Sequence, residues 1–221
     1  VQGAVRGASR FPVRRGARLD EVRNFIAVEQ GRADLNGMYI KRKSVAERQK
    51  KAIADSLRRL EESALTASSA STEESQMIAK FVERAKAVEP EGVVVLSDGQ
   101  KIGDITLEDG DVIVIPAKSD VVLVSGEVMM PQAMLWSKNN DLDDYIKGAG
   151  GYNSRADQDT VLVMHPNGSV SHDGDNIRPG DQILVMPRVA SKNMQAVKDI
   201  SQVMMQVAVS ARAILGLPTL Y

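Results

Sequence analysis

The side chains able to make or break bonds are few in this chain and poorly spaced for it. Nucleophilic catalysis needs an activated Ser, Thr or Cys beside a base. Cysteine is absent and the histidines are only His165 and His172. Both fall in or beside an expected hairpin loop, where an imidazole is ordinarily a solvent-exposed turn residue. Neither an HExxH nor a CxxC spacing occurs. Asp109, Asp111 and Asp181 resemble the oxygen ligands of a calcium loop, but each lies at a Gly-Asp turn before an apolar run, and turn chemistry accounts for them. The reading is no catalytic residue, no metal site and no cofactor.

Chemistry by contact offers more. Trp136, Tyr145 and Tyr152 cluster in a chain with one Trp and four Tyr, which suits a glycan or subunit contact. Lys41, Arg42, Lys43, Arg48, Lys50, Lys51, Arg58 and Arg59 read either as a polyanion patch or as a solvated helix face. Glu47, Asp55, Glu61 and Glu62 stand at helical pairing distance among them and favour the solvated face. With 28 basic against 29 acidic residues, no net field recruits nucleic acid or an anionic membrane.

The elements that carry these residues are written twice. VQGAV at Val1 to Val5 returns as VSGEV at Val124 to Val128. Leu19-Asp20-Glu21-Val22 is echoed by Leu142-Asp143-Asp144-Tyr145, and Asp98-Gly99 by Asn167-Gly168. Leu107-Glu108-Asp109-Gly110-Asp111 is echoed by Ile177-Arg178-Pro179-Gly180-Asp181. Asp-Gly and Asn-Gly supply the positive φ of tight turns, and the runs ending at Pro116 and Pro187 read as strands with their exits. A short helix is expected over Leu19 to Ile26 and Leu142 to Ala149, the second closed by Gly150-Gly151. The first copy carries an insertion from about Ser44 to Glu89. It reads as a helical hairpin projecting from the module, with capping boxes at Ser44/Glu47 and Ser71/Glu74.

After the second copy, Ser191 caps a helix that runs to about Leu215 and stops at Gly216 and Pro218. At about 24 residues it reaches roughly 36 Å, against a hydrocarbon core of about 30 Å. Lys192, Gln195, Asp199, Gln202, Gln206 and Ser210 form a polar stripe; Ile200, Val203, Met204, Val207, Ala211 and Ile214 belong to the broad apolar remainder. Two readings stand level on this pattern. In one the helix packs on its own module or a partner; in the other several copies form a ring whose polar stripes line an aqueous lumen while the apolar faces meet lipid or neighbouring helices. Ala208, Ala211 and Ala213 allow close helix approach.

The duplicated V-x-G-x-V, the Leu-Asp helix start, the Gly-Gly and the Gly-Asp turn before a Pro-ended strand resemble the polysaccharide export proteins built from soluble-ligand-binding β-grasp (SLBB) modules. The inserted Ser44 to Glu74 segment is similar to that of export proteins in transporter-dependent capsule systems. In the first copy Glu29-Gln30-Gly31 replaces the Gly-Gly. The resemblance implies an α+β fold: two tandem β-grasp-like SLBB modules, at 1–120 (with the insertion at 44–89) and 121–190, then a C-terminal amphipathic helix at 191–221. It also favours the membrane-crossing reading of that helix, with Gln195, Asp199, Gln202, Gln206 and Ser210 lining a pore. Further, it implies a homo-oligomeric ring at the Gram-negative outer membrane with its modules in the periplasm. Capsular polysaccharide would be the cargo, and an inner-membrane copolymerase-like adaptor and an ABC exporter the partners. The competing expectation is a soluble glycan- or ligand-binding module that docks onto an export complex. The start at Val1, without Met or leader, reads as a cut from a longer chain.

Overall fold

A computed structural model describes residues 1–211 except 8–9, 67–71, 97–101, 173 and 190–193. The first sheet holds β1 (Gln2–Gly3), β2 (Tyr39–Lys41), β3 (Val93–Val95) and β4 (Val112–Ile115), in the order β1-β4-β2-β3. The second holds β5 (Val121–Gly126), β6 (Gln132–Leu135), β7 (Ala156–Met164), β8 (Val170–Ser171) and β9 (Gln182–Pro187), in the order β6-β5-β9-β7-β8. Without β6 the second order repeats the first. In each copy the opening strand pairs in parallel with the last, and the other contacts are antiparallel.

The repeat is exact at the glycine of each opening motif. Gly3 pairs with Ile115 and Gly126 with Val185. Their φ angles are +101° and +88°, and a Cβ on either would meet the facing carbonyl oxygen at well under 3.0 Å. Glycine is therefore required where these strands cross closely. Tyr39 lies opposite Val114 as Leu162 lies opposite Leu184, so the two sheets share one register.

That register moves one expected match. Val93 pairs with Lys41, and Val170 with Met164. The turn at Asn167-Gly168 therefore stands where the first copy has its helical insertion, and is not the counterpart of Asp98-Gly99, which lies outside the described residues. The turn and the insertion are alternative ways of joining the same two strands.

Each sheet has a core beneath a short helix. α1 (Leu19–Arg23) buries Leu19 and Val22 with Met38, Ile40, Ile113 and Ile115. α4 (Leu142–Gly148) buries Tyr145 and Ile146 with Val122, Val124, Val163, Ile183 and Val185. Asp141 and Asp144 form a reciprocal capping box at the start of α4, and Gly150 and Gly151 take φ of +80° and +84° at its exit. α1 has no side-chain cap and ends at Asn24.

The insertion forms α2 (Lys43–Thr66) and α3 (Thr72–Lys86). It does not project. Ile53, Leu57, Leu60, Met77, Ile78, Phe81 and Val82 share a core with Leu162, Met164, Leu184 and Met186 of the second sheet. The cause is visible in β9, whose alternate residues face opposite ways: Ile183 and Val185 toward α4, Leu184 and Met186 toward these helices. A sheet apolar on both faces needs a cover on each. Ser44 lies inside α2 and donates to Glu108 Oε2 at 2.7 Å, so the expected cap at this position is not formed; Ser71 is outside the described residues. Most of the basic residues do lie on a solvated face, with Lys50 paired to Glu89 and Lys86 to Glu61 across the hairpin.

Candidate functional site

The polar and apolar stripes of the C-terminal helix are real, and the chain itself occupies the apolar one. α5 (Met194–Ala211) buries Ala196, Ile200, Val203, Met204, Val207 and Ala208 against α2, α3 and the second sheet. Ile200, Val203, Met204 and Val207 thus face helices and sheet of their own chain, and Ala211 is half-buried. Ile214 lies outside the described residues. Among the described residues no helix is long and apolar enough to cross a membrane; the expected helix ran on to about Leu215, and residues 212–221 lie outside the described residues. The groove over the second sheet competes for the same apolar face that lipid would take, and in water the groove wins.

On the other stripe Gln195 and Gln202 are exposed, Asp199 and Gln206 half-buried and Ser210 buried. Gln195 Nε2 donates to Asp199 Oδ1 at 2.9 Å. The Ser210 carbonyl accepts from the Glu91 N–H at 2.8 Å, which ties the end of α5 to the strand entry of the first module. Among the described residues Gln206 Oε1 and Ser210 Oγ are buried without a hydrogen-bond partner.

The three aromatic residues serve the second module's interior. Tyr145 is 1% exposed and its hydroxyl accepts from the Ser137 N–H at 2.9 Å, so it presents no ring face to a sugar. Trp136 is half-buried, packs on the α4 core and donates Nε1–H to the Ile177 carbonyl at 2.9 Å. Tyr152 packs beside it, and burial raises its phenol above the usual range, with Asp143 and Asp159 adding to the effect.

The repeat also places two buried side-chain pairs in equivalent positions. Arg42 follows β2 and gives Asp111 two hydrogen bonds, of 3.0 and 2.7 Å, with a third to the Thr106 carbonyl at 2.9 Å. His165 follows β7, and its Nδ1 lies 2.8 Å from Asp181 Oδ1. Both aspartates also accept a backbone N–H three residues upstream, from Glu108 at 2.9 Å and from Arg178 at 2.7 Å. The hydrogen bonds to Asp111 hold the Arg42 guanidinium above its usual range. His165 is 8% exposed and Asp181 1%, so the expectation of a solvent-facing loop histidine is corrected. Ser171 Oγ is 3.5 Å from His165 Nε2, giving a Ser-His-Asp order. In the first copy the same positions hold Val94, Arg42 and Asp111, a set with no base, so the shared role is to brace the turn before the last strand. His165 and Asn167 form the floor of a cleft of about 400 Å³ between the modules, with Asp34, Lys118, Asp120 and Arg178 on its walls.

No family model matches the chain. Two curated relatives do, both named Polysialic acid transport protein KpsD and both from Escherichia coli. Each is 39% identical over 194 residues, 84% of this chain. The chain belongs with the KpsD-like polysaccharide export proteins. It spans about a third of the length of those relatives, 35%.

In this KpsD-like chain the residues that sequence reasoning undervalued are Arg42 and His165. By sequence alone Arg42 belongs to the basic run and His165 to a hairpin turn. The signal was present in the repeat. Arg42 and His165 are both 123 positions apart, as are Gly3 and Gly126, so they had to occupy one structural position. Among the described residues no group of three or more His, Asp or Glu is placed to hold a metal ion.

Proposed function

We propose that the chain is a transport component of a polysaccharide export assembly and does no chemistry on its cargo. The observation that carries this is the 39% identity, over 84% of the chain, to proteins named for polysialic acid transport. In this reading copies of the intact protein form a ring at the outer membrane with their modules in the periplasm. Capsular polysaccharide passes through the ring, and an inner-membrane copolymerase-like adaptor and an ABC exporter feed it. Deleting the protein should leave polysaccharide inside the cell, and the intact protein should extract from the outer membrane as a complex of many copies. A soluble monomer in cells whose surface polymer is unchanged by the deletion would refute it.

The polar residues Gln195, Asp199, Gln202, Gln206 and Ser210 line the polymer path only in an assembly where α5 has left its groove. A cysteine at Gln206, on the polar stripe and half-buried in the docked helix, reads this directly. In the intact assembled protein, in a background without other cysteines, a water-soluble maleimide should label Gln206→Cys faster than in the isolated chain if the stripe faces an aqueous lumen, and labelling as slow as in the isolated chain would place the polymer path elsewhere. One observation favours a second reading, a soluble glycan-binding module docked on the export complex: the apolar face of α5 is covered by its own chain, and a separate polar cleft lies between the modules. The mass of the extracted protein separates the two.

A further inference from the structure

The first 32 residues hold seven basic side chains, every one an arginine, against three acidic ones. The three acidic residues are already engaged, Asp20 with Arg23, Glu21 with Arg14 and Glu29 with Arg32, while Arg18 reaches Asp104. Arg6, Arg10 and Arg15 are exposed, and among the described residues they form no ion pair. All three lie along one flank of α1. The Arg6 N–H donates to the Ala27 carbonyl at 2.7 Å, just past the helix exit, and Phe11 packs on the core beneath the helix. Arg15 sits in the turn that the Ala17 N–H closes onto the Arg14 carbonyl at 3.1 Å, and Arg14 meets Glu21 on the first turn of α1. Phe25 follows the same helix with 74% of its surface exposed, whereas every other described aromatic residue is buried or half-buried.

The fold does not require this surface, because the second module builds the same elements without it. The residues 123 positions on from Arg6, Arg10, Arg15 and Phe25 are Met129, Ala133, Lys138 and Gly148, so only one charge of the three is kept. A guanidinium fork matches a carboxylate in shape as well as in charge, and an exposed aromatic face offers apolar contact area. We propose that this flank of the first module is a contact surface for an acidic polysaccharide, whose carboxylates meet Arg6, Arg10 and Arg15 while a sugar ring lies on Phe25. The class of polymer rests on the transport reading above; where the chain touches it rests on the arginines. Exposed charge pairs are each weak and screened by salt, so a polymer held in this way is retained by many contacts and free to move along them.

Affinity electrophoresis of the whole chain at low salt tests this. Alginate, a polymer of carboxylated sugars, should retard the chain, less so as salt rises, and neutral dextran should not. Arg6→Gln/Arg10→Gln/Arg15→Gln should weaken the alginate interaction about tenfold, and Phe25→Ala about threefold. Arg48→Gln/Lys51→Gln/Arg58→Gln, which takes the same charge from exposed positions on α2, should leave it unchanged. Circular dichroism checks that each variant is folded, and the wild type alone decides if one is not, since a chain that alginate does not retard overturns the proposal. Equal losses in the two triple variants also overturn it, because net charge would then explain the binding. Tighter binding to phosphatidylglycerol vesicles than to alginate overturns it too, by making the surface a membrane contact. The deletion phenotype is read separately: polymer trapped in the deleted cells beside a chain indifferent to alginate would remove this surface and leave the transport reading in place.

Discussion

Replacing Arg42 by Met tests the brace of the first module at its centre. The substitution keeps much of the side-chain volume and removes the guanidinium. Asp111 loses the bonds of 3.0 and 2.7 Å, the Thr106 carbonyl loses its 2.9 Å donor, and Glu108 loses a partner at 3.1 Å. Only the Glu108 N–H still faces the Asp111 carboxylate. The Asp111 side chain is 5% exposed, so water cannot replace what is lost. Breaking one side of a buried pair in this way costs about 3–5 kcal/mol. For a chain of this size that lowers the melting temperature by roughly 10 °C. Urea unfolding with Arg42→Met, Asp111→Leu and the double variant closes a thermodynamic cycle. The double variant should recover most of the loss, since the penalty comes from stranding a charge and not from the absence of the pair. A single-variant loss under about 1 kcal/mol, or a double variant no better than Arg42→Met, would refute the reasoning.

Gly126→Ala should break the second sheet while Gly151→Ala should not. Both need positive φ, worth roughly 1–2 kcal/mol, but only Gly126 faces a backbone carbonyl at collision distance, whereas nothing lies within 4 Å of a Cβ at Gly151; soluble yield and circular dichroism separate the two. Asp104, which Arg18 and the Asp20 N–H hold below the usual carboxylate range, should titrate lower than a free carboxylate in the wild type and return toward the ordinary value in Arg18→Gln. Its stabilising effect is therefore present above the ordinary carboxylate range and disappears as pH falls through its own depressed value, readable by carbon-detected resonance titration.

The duplicated unit was legible because its markers are backbone demands. Gly3 and Gly126, the Pro-ended strands, and the Gly150-Gly151 exit each require a conformation that few residues supply, so they are written plainly. Helix existence was legible from the spacing of Ile53, Leu57 and Leu60 and of Ile78, Phe81 and Val82. What those faces would meet was not legible. An apolar stripe records that it must be covered and nothing about by what, so in sequence α5 fits lipid as well as it fits α2, and the hairpin reads as projecting. Sheet residues such as Leu184 and Met186 held the missing information. β9 is apolar at every position from Ile183 to Met186, which in a strand means two covers. Tyr145 misled for a related reason, since an aromatic residue suits a binding face and a core equally well. The Arg42–Asp111 pair was hidden because Arg42 lies at the edge of a charged run most of whose other members are solvated.

The hairpin that leaves the first sheet comes to rest on the second, and with it the apparent seam near residue 120 stops being a place where the chain can be divided. A fragment ending there would carry Leu57, Leu60 and Phe81 with nothing to lie on, and one starting there would present Leu162, Met164, Leu184 and Met186 bare to water. Two halves drawn on one pattern thus each lean on the other for shelter from water.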